Sequence, residues 1–220
     1  MSTITSLEER VLAVREQVAD AALDAGRHPG EVTLIAVSKT FPREDIEAAY
    51  DLGVRHFGEN RVQEAQQKLS VPLPADAPLH LIGHLQSNKA KFVPGLFDTV
   101  DSVDRSSIIK ALDKAVAKAG ETLDVLLQVN IAGEEQKAGC APAEAPKLIE
   151  QIAATGTLAP TGLMTIAPID AAGDDLRAVF RGLRALRDDL QERFPDLDLR
   201  ELSMGMSNDY REAIAEGATQ

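Results

Sequence analysis

Leu34-Ile35-Ala36-Val37-Ser38-Lys39-Thr40-Phe41-Pro42 is the stretch on which the reading of the chain turns. Five small or apolar residues run up to a lysine, and a proline three places later ends the run. A continuous apolar run bounded by a breaker reads as a strand buried on both faces, as in parallel sheets. Lysine is a poor guest in such a strand, because an unpaired ammonium is costly to bury. Lys39 therefore belongs at the strand's carboxyl end, the edge where parallel α/β proteins place their chemistry. A desolvated lysine there is expected to have a lowered pKa, and the neutral amine attacks aldehydes to form Schiff bases. The alternative is a lysine that reaches to solvent or pairs with an acid such as Glu44 or Glu59.

Outward from this stretch, strand and helix patterns alternate. Residues 2–27 open with Thr5 and Glu8, or Ser6 and Glu9, spaced as a capping box. Leu7, Val11, Val14, Val18, Ala21 and Ala22 follow at helical spacing up to Gly26, which predicts a helix over about 3–26. Beyond the Thr33–Ser38 strand come a helix over Arg43–Leu52, a strand over Val54–Gly58 and a helix over Val62–Leu69. A Pro-rich loop leads to a strand over Leu79–Gly83 and a short helix through Lys89 and Phe92. The pattern continues with Asp98–Val103, Arg105–Ala119, Leu123–Val129, Pro142–Ala154, Thr161–Ile166, Asp174–Arg193, Leu199–Met204 and Asp209–Glu216. Seven βα units in series, with short connections and no Gly/Ser linker, predict one domain over residues 1–220. No Gly-rich dinucleotide loop opens the first helix, so a (β/α)8 TIM barrel is favoured over an open doubly wound sheet. The pattern stops at Gly217-Ala218-Thr219-Gln220, where an eighth strand should begin.

The 220-residue composition, 44% hydrophobic and 26% charged, allows a sizeable core. A formal charge of −12 argues against nucleic acid and anionic membranes as partners. The single cysteine, Cys140, excludes an internal disulfide and fits a reducing compartment. No leader and no bilayer-length apolar run stand out, so a soluble cytoplasmic protein is expected.

In a barrel the strand ends converge on one mouth. They carry Lys39, Asn60, His84 with Gln86, Asp101 with Asp104, Asn130, Thr165, and Ser203 with Ser207. Asn60 and Asn130 also suit turns that bond their own backbone. Ser203-Met204-Gly205-Met206-Ser207-Asn208-Asp209 joins a strand to a helix start, where free N–H groups suit a phosphate or carboxylate; capping by Ser207 or Asp209 is the alternative. His84 is a candidate acid/base or a structural loop histidine. Glu59 is read as partner to a basic group. No zinc-ligand spacing, Walker loop or Gly-x-Ser-x-Gly is present, so no metal is expected. Arg177, Arg181, Arg184 and Arg187 read as a solvated helix face. A Schiff-base lysine at one strand end and an anion nest at another are what pyridoxal 5′-phosphate requires: an aldehyde carbon to bond and a dianion to hold.

The same residues resemble the YggS/PROSC type of pyridoxal phosphate (PLP) homeostasis protein. The matching stretches are Leu34–Lys39, Phe57–Asn60 with Val62-Gln63-Glu64, His80–Lys89, Ser102-Val103-Asp104, Gln128-Val129-Asn130, Gly162-Leu163-Met164 and Leu202–Ser207. They run in order along nearly the whole chain. The resemblance implies a barrel like the N-terminal domain of alanine racemase, with PLP held as an internal aldimine on Lys39. It also implies Asn60 near the cofactor ring, and Ser203, Met206 and Ser207 around the phosphate. The expected role is PLP carriage and vitamin B6 homeostasis with little or no turnover, by a monomer that serves PLP-requiring apo-enzymes. Family members continue into an eighth strand whose arginine faces the pyridine nitrogen; this sequence stops at Gln220, so weaker cofactor binding is expected. The alternatives are a PLP-dependent amino-acid racemase with His84 as opposing acid/base, and a Schiff-base aldolase. A racemase needs a second base, and Tyr50 and Tyr210 fall in predicted outer helices.

Overall fold

The computed structural model describes residues 6–134, 136 and 138–220. Seven strands form one parallel sheet in chain order: β1 (Ile35–Val37), β2 (His56–Glu59), β3 (Leu79–Leu81), β4 (Thr99–Val103), β5 (Leu123–Gln128), β6 (Leu158–Met164) and β7 (Glu201–Ser203). α1 (Leu7–Asp24) precedes the sheet. α2 (Arg43–Asp51), α3 (Val62–Lys68), α4 (Ser106–Ala119), α5 (Ala145–Ala153), α6 (Gly173–Arg193) and α7 (Tyr210–Ala215) connect or follow the strands, and a 3-10 turn over Ser87–Phe92 takes the place of a helix after β3. This is the TIM-barrel arrangement lacking its eighth strand. Among the described residues no helix is long and apolar enough to cross a membrane.

The helices form where apolar residues recur at helical spacing. α4 buries Ile108, Ile109, Leu112 and Val116, and Gly120, at φ +71°, ends it in the left-handed conformation. α6 buries Leu176, Val179, Phe180, Leu183 and Leu190 against the sheet. α1 starts at Ser6, whose hydroxyl accepts from the Glu9 N–H while Glu9 accepts from the Ser6 N–H. The capping box thus belongs to the second of the two registers; the Thr5 alternative lies outside the described residues.

Three expectations are corrected. β1 is not buried on both faces: Val37 is 42% exposed; β1 ladders with β2 on one side, and on the other the described residues give it no strand partner, residue 219 bonding to Thr33 ahead of the strand. β6 begins at Leu158, three residues before the predicted Thr161. Pro160 has no N–H to give a ladder, and the sheet absorbs it with a shift: Val125 pairs with Pro160 but Leu126 with Gly162, leaving Thr161 as the extra residue. The arginines of α6 are also not a purely solvated face. Arg181 pairs with the buried carboxylate of Glu216 beyond α7, and Arg187 donates to the carbonyls of Leu199 and Arg200 ahead of β7.

The two ends of the sheet are drawn together by the last residues of the chain. Thr219 and Gln220 donate their N–H groups to the Leu202 carbonyl, and the Gln220 carbonyl accepts from Met204. Arg27, just past α1, donates to the carbonyls of Ile214 and Ala218. Residues 219–220 therefore occupy the ladder position between β7 and β1.

Candidate functional site

Successive side chains of a strand alternate faces. His56, His80, Asp101 and Ser203 hydrogen-bond across the sheet's concave side, which marks the inward residues of β2, β3, β4 and β7. Gly58 lies in the same inward set: a side chain there would meet Ile35 and Ile82. By that count Ile35 and Val37 face inward along the first strand, and Ala36 faces the helices, as does Ser38, whose hydroxyl donates to Glu59. Lys39 follows in the turn at the carboxyl end of β1. Its side chain is exposed and makes no hydrogen bond or ion pair with the described residues. The desolvation expected for it is absent; of the two alternatives, Lys39 reaches to solvent and pairs with neither Glu44 nor Glu59.

Glu59 is committed elsewhere. Fully buried and facing α3, it accepts 2.7 Å bonds from the Ser38 hydroxyl and from Lys68 Nζ; its other oxygen has no partner among the described residues. The carbonyl of Ser38 accepts from Lys68 Nζ and closes a turn with the Phe41 N–H. Thr40, third in that turn, adopts φ +67°, and its N–H donates to Glu64. Type II turns need positive φ at this position and favour glycine there; a β-branched residue holds it only where its surroundings impose it.

Inside the barrel a polar chain runs from strand starts toward the mouth. His56 Nδ1 and His80 Nε2 are 3.0 Å apart, His80 Nδ1 is 3.2 Å from Asp101, and the Ser203 hydroxyl donates to Asp101 at 3.4 Å. With both rings neutral, the bonding pattern assigns donation from His56 to His80 and from His80 to the carboxylate. Burial, and the charge His80 would carry, hold the His56 pKa below the usual histidine value; Glu201, Asp101 and Asp98 oppose this. Asp101 is expected at the mouth from its place near a strand end, and neither His56 nor His80 stands out in the sequence as a site residue. The structure puts Asp101 within the barrel, fully buried. A histidine between two leucines at Leu79-His80-Leu81 was the available signal, since an inward polar residue alternates with outward apolar ones.

After β7 the chain reaches α7 through residues 204–209. Gly205 takes φ +96°, and a Cβ there would stand 2.8 Å from the Ala213 Cβ, so the loop is pressed onto α7. Asp209 accepts from the Met206 N–H, which leaves Ser207 exposed and without a partner among the described residues. Burial pushes the Asp209 carboxyl upward. Exposed apolar side chains gather at the ends of the first, sixth and seventh strands: Val37, Ile166 and Met206. Asn60, half-buried beyond β2, likewise makes no side-chain bond with the described residues, and its carbonyl lies 2.2 Å from where a Cβ on Gly83 would sit. The mouth therefore presents a free primary amine, a free amide and a free hydroxyl beside an apolar rim.

Other strand-end residues serve the scaffold. Asn130 bonds the backbone of its own loop at Gly133 and Glu134, and Thr165 donates to the Val129 carbonyl. His84 is exposed beside Arg105, 3.4 Å away. Among the described residues no group of three or more potential metal ligands comes together.

The alanine racemase N-terminal domain model matches residues 15–219. A relative from Pseudomonas aeruginosa, named pyridoxal phosphate homeostasis protein, is 42% identical over 221 residues, covering all of this chain and 92% of its own length. The chain belongs to this family. A solved family structure, PipY of Synechococcus elongatus with PLP bound, is 40% identical, with a TM-score of 0.80 over 92% of this chain and 95% of its own. The alanine racemase of Streptomyces coelicolor, 19% identical, superimposes at a TM-score of 0.68 over 87% of this chain and 52% of its own. It shares the fold.

Proposed function

We propose that this chain binds pyridoxal 5′-phosphate and serves cytoplasmic vitamin B6 homeostasis, with little or no catalytic turnover. The observation that carries the reading is Lys39: an exposed, unpartnered amine in the turn at the carboxyl end of β1, where the other ionisable groups of the first two strands are paired. The cofactor supplies an aldehyde for an amine and a phosphate for N–H and hydroxyl donors. Lys39 would take the aldehyde carbon, Asn60 would stand by the ring, and Ser203, Met206 and Ser207 would surround the phosphate. This donor set fits: Ser207 is free, and the Gly205 turn brings the backbone of residues 205–207 to the helix start. Ser203, whose hydroxyl donates to Asp101, would have to turn that proton to a phosphate oxygen to join the donor set. The names of the relatives and the PLP-bound PipY structure support the same reading.

The placement of the two tyrosines supports low turnover. The Tyr50 hydroxyl is bonded to Asp76 and the Tyr210 hydroxyl to Gln17 of α1, on the outer side of the barrel, so neither phenol supplies the opposing base of a racemase. The reading takes residues 1–220 as one PLP-binding unit, acting as a monomer that passes PLP to apo-enzymes. Borohydride treatment after PLP addition should fix a pyridoxyl group on the Lys39 peptide, and Lys39→Ala should abolish it. Equal labelling of the variant, or rapid α-proton exchange of alanine in deuterated buffer, would overturn the proposal.

A further inference from the structure

The peptide groups on both sides of Lys39 are held by one short helix. Lys68 Nζ donates to the Ser38 carbonyl at 2.7 Å, and Glu64 accepts from the Thr40 N–H at 2.7 Å. The two α3 residues are four apart, so they share a face, and they also meet each other at 3.5 Å. Lys68 is anchored in turn by the buried carboxylate of Glu59.

We infer that Glu64 and Lys68 are positioning residues for Lys39: α3 grips the turn on either side of it and imposes the left-handed Thr40 that aims the amine into the mouth. Three observations converge. Thr40 adopts φ +67° although it is β-branched, a conformation that L-residues hold only when neighbours over-determine it. The Thr40 N–H is the largest influence holding the Glu64 carboxyl below the usual carboxylate range, so the bond and the charge reinforce each other. Lys68 is nearly buried although it is a lysine, and its ammonium is satisfied by the Ser38 carbonyl and Glu59. Without the grip, Thr40 relaxes toward the right-handed region and Lys39, one residue earlier, swings with the turn.

The inference rests on Lys39 being the cofactor amine, and the test separates the two. PLP and cyanoborohydride are added to the parent chain and the rate of pyridoxyl capture at the Lys39 peptide is measured, with hydrogen exchange at the Thr40 amide read on the cofactor-free protein. Glu64→Ala should slow capture roughly ten-fold or more and speed Thr40 exchange. Glu64→Gln, which keeps an acceptor oxygen, should stay near the parent. Thr40→Gly in the Glu64→Ala background should restore capture, because glycine takes positive φ without help. A general loss of structure is not rescued in this way. Lys68→Met with Glu59→Gln, which avoids stranding a buried charge, should also slow capture while the helical circular dichroism stays at the parent level. If the parent is not captured at Lys39, the functional reading fails. If the parent is captured and Glu64→Ala matches it, or Thr40→Gly does not rescue, the positioning role is overturned.

Discussion

His56 and His80 meet nitrogen to nitrogen at 3.0 Å inside the barrel, so a proton on both rings at once would set two cations against each other. Asp101 holds His80 from the far side, and His56 stands between that pair and the foot of the barrel, within reach of the charges of Asp98 and Glu201. Burial is the largest influence on His56 and lowers its pKa in the fold. The unfolded chain then binds the proton more readily than the folded one, so stability from this site is complete above about pH 6.5 and is lost as pH falls below it. Urea unfolding between pH 7.5 and 5.5 should show this decline, with a slope of at most about 1.4 kcal/mol per pH unit from one proton. His56→Gln, which can still donate to His80, should flatten it.

Gly83 has no room for a side chain. A Cβ would meet the Asn60 carbonyl at 2.2 Å and its Cα at 2.7 Å, and those contacts are backbone, which yields less than a side-chain end. Gly83→Ala should destabilise the fold by about 1–3 kcal/mol or more, and should weaken PLP binding beyond what the stability loss accounts for, since it displaces Asn60. A denaturation midpoint and a PLP titration on the same sample check both.

Cys140 should be inert while the protein is folded. Burial pushes its thiol up to about 12, so almost none is thiolate at pH 8, and the thiolate is the nucleophile. A disulfide reagent added to native protein should report essentially no thiol, and one per chain after unfolding in guanidinium chloride. Full reaction in the native state would contradict the packing of the loop that carries it.

Phe180, on α6, is fully buried against the sheet. Phe180→Ala should cost about 3–5 kcal/mol, measured as a lower urea midpoint with an unchanged slope. The PLP-capture rate at Lys39 should hold under conditions where the variant remains folded, because α6 lies away from the first two strands.

Much of the scaffold was legible because it follows from periodicity. α4 and α6 declare themselves by apolar spacing, and β5 by its unbroken Leu-Asp-Val-Leu-Leu-Gln run. Boundaries failed where a local rule met a tertiary one: Pro160 sits inside β6 because a neighbouring bulge absorbs its missing N–H. Of the site, the amine at Lys39 and the loop at Gly205–Ser207 were visible as types of residue at strand ends. The dryness expected of Lys39 was not met, since burial depends on what lies across β1, which no local pattern reports. The grip of α3 was equally hidden. Glu64 and Lys68 look like an ordinary helix-surface pair, and only the fold brings the turn at Thr40 against them.

Arg27 reaches the carbonyls of Ile214 and Ala218 across more than 180 positions of sequence, and Tyr210 reaches Gln17 over a similar span. Contacts so remote along the chain form late, because the loop they close contains the whole of the sheet. As the polypeptide leaves the ribosome, α1 emerges ahead of every strand of the sheet, yet the part of its docking surface that α7 supplies does not exist until α7 has emerged. α1 must therefore wait, only partly held, until the sheet and α7 have followed it. Its polar outer face, rich in glutamate and arginine, is well suited to that delay.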